Sequence, residues 1–206
     1  MLTAESSARV VRMEYQGLVY FPVVHNGIVL GPEELARLVA TPAPVARARR
    51  VAAIVAHEAS PPDKKPLRIR QGPGISPALS AREIFKWMGK ASHGRQATPA
   101  RPIPMTYGLS DYTIGCIEDP HVIPSGATFE GVDGPLIVAT GRLYQNALAE
   151  IVWPAIKGGL VRGLCVEHCS DDRLELQDIT RVMLGGLENN CLPGAVIYKT
   201  WEGEAP

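Results

Sequence analysis

The residues best able to do chemistry lie in "GGLVRGLCVEHC", Gly158 to Cys169, and at His57, which ends "VAAIVAH". A cysteine thiolate is a strong nucleophile and a metal ligand, and a nearby imidazole can take its proton and return it to a leaving amine. Cys165 and His168 are near neighbours in sequence. The stretch reads as a strand, however, and side chains alternate along a strand. Val161, Gly163, Cys165, Glu167 and Cys169 then share one face, and Leu160, Arg162, Leu164, Val166 and His168 the other. Cys165 and His168 point apart and form no dyad unless a bulge intervenes. Glu167 shares the face of Cys165, and a carboxylate there raises a thiol's pKa and opposes activation. The plain alternative for Cys165 is a buried core thiol, since free cysteine is among the most buried residue types.

A zinc site needs about four ligands in tetrahedral reach. Cys165, His168 and Cys169 are split across two faces, and Cys116 and Cys191 have no ligand-type neighbour at close spacing. No metal and no cofactor are expected. Four cysteines at wide spacing do not make a disulfide framework, so reduced thiols are expected. Trp87, Trp153 and Trp201 read as core residues. The pattern contains no long apolar run and no basic-then-apolar start, so no membrane span and no signal peptide are expected.

The elements that must position Cys165 and His57 follow from periodicity and breakers. "RVVRMEYQGLVYFPVV" is β-branched and aromatic, and reads as one bent strand or two short ones; "HNGIVL" follows as turn and strand. "GPEELARLVA" is a helix with Pro32 at its first position and Glu33 and Glu34 in its first turn. "VAAIVAHE" reads as a buried strand. "SAREIFKWMGKA" carries a capping box, Ser80 with Glu83, and predicts a second helix. "YQNALAEIVWPAIKGG" has Leu148, Ile151, Val152 and Ile156 at helical spacing, with Pro154 as a kink or new turn and Gly158–Gly159 as its end. "MTYGLSDYTIGCIED", "GATFEGVDGPLIVATGRL", "RLELQDITRVMLGGLEN" and "GAVIYKTW" read as strands, with a tight hairpin turn at "GVDG", Gly131–Gly134. The expected fold is therefore α+β, one domain over residues 1–206, built on a small antiparallel sheet or barrel with two to four helices.

Net charge is zero but unevenly spread. From Arg47 to Arg101 there are twelve Lys and Arg against three acids, Glu58, Asp63 and Glu83, a surplus of nine. Residues of about 59–104 read as a basic, Pro/Gly-rich insertion carrying one helix. Such a segment suits nonspecific contact with an acidic surface or DNA, or folding back on the chain's own acidic half.

The order of these elements resembles that of the prohead (capsid maturation) proteases of tailed phages, relatives of the herpesvirus assemblins. The matching pieces are "QGLVYFPVVHNGIVLGPEELARLV", "VAAIVAHE", "TIGCIED", "DGPLIVATGRL", "ALAEIVWPAIKGGLVRGLCVE" and "DITRVMLGGLENNCLPGAVI". The resemblance places Cys165 where that family has its nucleophilic serine and His57 where it has its catalytic histidine. The third catalytic residue has no clear equivalent, with Asp178 and Glu188 as nearby candidates; Gly163 and Gly185–Gly186 are flexible places for oxyanion donors. The resemblance implies a head-assembly protein in the host cytoplasm and the phage head, an oligomer or capsid-associated, with no membrane partner. As an endopeptidase it would cut scaffold or major capsid protein. As a catalytically silent homologue it would serve as a decoration or stabilising component.

Overall fold

A computed structural model describes residues 8–57, 102–108, 112–124, 126–170, 176–187 and 195–204. The helix expected over Ser80–Ala91, most of the basic insertion, and Glu188 lie outside the described residues.

The N-terminal segment forms five short strands: β1 (Arg9–Val10), β2 (Met13–Tyr15), β3 (Leu18–Tyr20), β4 (Val23–His25) and β5 (Ile28–Val29). The expected one or two strands are thus divided further, because Gln16–Gly17 and Asn26–Gly27 all take positive φ and turn the chain twice. Helix α1 (Pro32–Ala40) follows as expected.

Next come β6 (Arg47–His57), β7 (Ile103–Tyr107), β8 (Thr113–Ile123), β9 (Thr128–Phe129), β10 (Val132–Asp133) and β11 (Leu136–Leu143). Helix α2 (Ala147–Lys157) precedes β12 (Gly163–Ser170), β13 (Leu176–Gly185) and β14 (Val196–Glu204). The β9–β10 turn is made by Glu130 and Gly131 rather than by the whole of Gly131–Gly134. Both turn residues have positive φ, which this tight turn requires.

Seven strands close a barrel in the order β11-β6-β14-β12-β13-β7-β8. Every neighbouring pair is antiparallel except β13 with β7. Parity dictates this exception: an odd ring cannot alternate direction all the way round, so one pair must run parallel. The expected α+β class with a small barrel is met, with two helices among the described residues.

The interior is filled by one face of each strand, including Val51, Ala53 and Val55 of β6, Ile137 and Ala139 of β11, Leu164 and Val166 of β12, and Val182 and Leu184 of β13. A barrel of this strand number is just wide enough for side chains to fill it. Helix α2 adds Leu148, Ala149, Val152, Trp153 and Ile156 to the same core. It continues through Pro154, whose ring is on the exposed side and which has no N–H to give. On the barrel's outer face Phe129 and Val132 of the β9–β10 hairpin cover Ile54, Leu136 and Val138. Phe129 meets Tyr198 edge to face at 5.3 Å between ring centres.

Asn146 ties the two helices to the barrel. Its Oδ1 accepts from the Ala149 N–H at 2.8 Å, its Nδ2 donates to the Thr113 carbonyl at 3.3 Å, and the Ala147 N–H donates to the Thr41 carbonyl at 2.8 Å. Asn146→Ala removes the cap and leaves the Thr113 carbonyl without that donor. It should cost about 1–2 kcal/mol in urea unfolding, whereas Asn146→Ser, which keeps a capping oxygen, should recover about half. Equal losses for the two variants would show that the cap contributes nothing.

Candidate functional site

Cys165 sits on β12 between Leu164 and Val166, which both point into the core. It is half-buried on the barrel's outer face and lies opposite Met183 of β13. The strand alternation expected from sequence holds here. The ladder does slip between Glu167 and His168, but the extra residue, Thr180, is on β13, so the slip gives β12 no second residue at one level.

His57 is the last residue of β6. One strand, β14, separates β6 from β12 in the barrel. Ile54 pairs with Val196, and Val196 pairs with Gly163, so these three residues mark one level across the three strands. Cys165 is two residues beyond Gly163. His57 is three beyond Ile54, yet a β-bulge at Val55 compresses the difference. Ile54 opposes Val138, Ala56 opposes Ile137, and His57 opposes Leu136, which is only two ladder steps. Since β6 and β12 both run antiparallel to β14, both advance in the same direction. The backbone thus brings the positions of His57 and Cys165 to one level, two steps beyond the row of Ile54, Val196 and Gly163. Composition and periodicity gave no sign of this bulge.

Asp178 lies on β13 opposite Cys169, two ladder rows past the level of Glu167. Gly163 is held between Gly185 and Val196, two residues short of Cys165.

One expectation is corrected. The thiols are not all reduced, because Cys165 is disulfide-bonded. A disulfide sulfur has no proton for a base to take and no thiolate to attack with, so this state of Cys165 is chemically closed until a dithiol or other reductant opens it. Cys116 on β8 is free but fully buried. Burial pushes its thiol pKa up, and Glu118, whose carboxylate accepts from its Sγ at 3.5 Å, adds to the rise against the opposing pull of Tyr144 and Arg142. That makes Cys116 a poor substitute nucleophile. Among the described residues no three His, Cys, Asp or Glu side chains converge on a metal-sized site.

The most developed polar cluster escaped the sequence reading. Arg49, on the core side of β6, is 6% exposed. Its fork donates to both Glu150 oxygens of α2, at 2.5 and 2.9 Å, while its Nε donates to Glu202 of β14 at 3.1 Å. The guanidinium also lies over the Trp153 ring, 5.5 Å from its centre. Glu202 further receives Arg47 at 3.3 Å and Lys157 at 3.5 Å. Burial pushes the Glu202 carboxyl up, but Arg49 and Arg47 outweigh it and hold the group at about 2. An open cleft of about 610 Å³ lined by Arg47, Trp153, Lys157 and Glu202 lies beside the cluster. Every charge in it is answered from within the chain, so the cluster reads as a fastening of α2 to the barrel mouth. The signal that could have found it is "RARR", which puts Arg49 on the same face as Val51 and Ala53.

Comparison of the chain with protein-family models, with curated proteins and with solved structures gives no match in any of the three.

Proposed function

We propose that this chain is a phage-type head-maturation endopeptidase whose nucleophile is Cys165 and whose general base and acid is His57. The observation that carries the reading is the common level of the two positions, which the bulge at Val55 produces. In the reduced state His57 would take the Cys165 proton, and the thiolate would add to a scissile carbonyl of scaffold or capsid protein. Return of the proton to the departing amine leaves a thioester, which water then hydrolyses to free the thiol. The disulfide at Cys165 adds a condition: two electrons from a dithiol must come first.

The test uses the full chain mixed with the scaffold and major capsid proteins of the same phage, with and without dithiothreitol. Cleavage is expected only with reductant, and Cys165→Ala and His57→Ala should each abolish it while circular dichroism stays unchanged. Cleavage that survives Cys165→Ala overturns the proposal.

The disulfide itself favours a second reading, a non-catalytic component of the head on the same scaffold. A sulfur held in a crosslink serves stability directly, typically by about 2–4 kcal/mol. Stoichiometric amounts of the chain in mature particles, with no cleavage under reduction, would establish that reading over the first.

A further inference from the structure

The outer face of the barrel is treated in two ways. Its half around Ile54, Leu136 and Val138 is apolar and covered by the β9–β10 hairpin. Its other half is basic and aromatic, and no described segment covers it. There the ladders align one row across four strands: Trp201 of β14 opposes Arg50 of β6, Arg50 opposes Arg142 of β11, and Arg142 opposes Cys116 of β8. Trp201 is 42% exposed, Arg50 is exposed, and the Arg142 side chain is 54% exposed. Lys199 sits 5.3 Å from the Trp201 ring centre, and Arg142 sits 5.9 Å from the ring of Tyr144, which is 38% exposed.

Like charges directly opposite on neighbouring strands repel, so Arg50 facing Arg142 costs stability unless an anion lies between them. Glu118 supplies one, accepting from the Arg142 Nε at 2.7 Å. Among the described residues Arg50 has no carboxylate partner. A shallow hollow of about 310 Å³ opens at this point, lined by Arg50, Glu118, Thr140 and Trp201. Exposed rings at both ends with two cations between them, Arg50 lacking a carboxylate partner and Arg142 sharing Glu118, form an arrangement suited to single strands: phosphates on the cations, bases stacked on the rings. An acidic peptide would answer the charges but would make no use of the exposed rings.

We infer that the surface formed by Trp201, Arg50, Arg142 and the neighbouring Tyr144 is a binding surface for single-stranded nucleic acid, without sequence preference. This surface is separate from the Cys165 position and does not depend on the proposed protease chemistry.

The test measures fluorescence anisotropy of a labelled oligothymidylate of about twelve nucleotides, within the usual range of site sizes, against the intact chain in rising salt. The wild type should bind with an affinity that falls steeply with salt. Arg50→Ala should weaken binding and lower the slope of log K on log salt by about 0.7, the loss of one phosphate contact. Trp201→Leu should weaken binding about tenfold or more with the slope unchanged, the loss of one stacked base. Both positions are exposed, and unchanged melting temperatures would show the fold intact. No binding by the wild type overturns the inference. So does binding that both variants retain, which would place the contact on the basic insertion. Displacement by polyglutamate together with indifference to Trp201→Leu would make the surface one for an acidic protein, and would equally overturn it.

Discussion

Arg49→Met should lower the free energy of unfolding by about 3 kcal/mol, read as a fall in urea midpoint at unchanged slope. The arginine is nearly fully buried and serves two carboxylates and a ring at once. Removing one partner of a buried ion pair costs about 3–5 kcal/mol, because the charges left behind keep their desolvation without their counterion. The lower end is expected here, since Glu150 and Glu202 retain 33% and 21% side-chain exposure, and Arg47 and Lys157 still reach Glu202. Arg49→Lys should be only partly better, because a point charge cannot fork to Glu150 and still reach Glu202 through a second nitrogen. The effect should also depend on acid. Glu202 titrates at about 2 in the folded chain against 4.5 unperturbed. A depressed carboxyl contributes stability that is fully present above its unfolded pKa and is lost as pH falls through its folded one. The gap between wild type and Arg49→Met should therefore be constant above about pH 5 and close steadily toward pH 2. A gap that does not change over that range would show that the cluster contributes packing rather than charge.

Gly115→Ala should be as damaging, for a reason unrelated to charge. Gly115 lies on β8 opposite Leu143 and Met105. A Cβ built there would stand 2.3 Å from the Arg142 carbonyl oxygen, 2.8 Å from the Met105 methyl and 3.1 Å from the Leu143 Cα. The Met105 side chain can turn away, but backbone cannot, so β8 and β11 would have to part. Overpacking of this kind costs about 1–3 kcal/mol, and an unrelievable backbone clash belongs at or above the top of that range. Gly203→Ala makes the control, because nothing lies within 4 Å of its added Cβ and its φ is not positive. It should be neutral or slightly stabilising. If the two variants unfold at the same denaturant concentration, the close approach of β8 to β11 is not real.

Local signals in the sequence carried much of this fold. Helix α1 was legible from Pro32 and its acidic first turn, and α2 from its apolar spacing, because both signals are confined to a few residues. Strand alternation correctly separated Leu164 and Val166 from Cys165. What was hidden depends on partners far along the chain. The Val55 bulge exists only in relation to β11, and the reach of Arg49 to Glu150 and Glu202 crosses 101 and 153 residues. Trp201 was expected in the core by residue type and is instead exposed, because register with Arg50 and not hydrophobicity fixes its face. The disulfide at Cys165 was missed because wide cysteine spacing carries no pairing information.

The odd strand count bears on how the chain is made. The ring closes only through β12, β13 and β14, which all lie in residues 163–204. Before they emerge from the ribosome, β6, β11, β8 and β7 can form at most an open sheet with β6 and β7 as its two free edges. Such edges are templates for pairing with other chains. The β7–β13 contact joins Met105 to Val182 and Thr106 to Met183, and β14 then closes the ring by joining Val196 to Ile54, a long span whose loop entropy must be lost before it is rewarded. The nascent sheet is thus exposed to edge-to-edge aggregation until the last strand is made, and the seam that β14 forms with β6 is where that exposure ends.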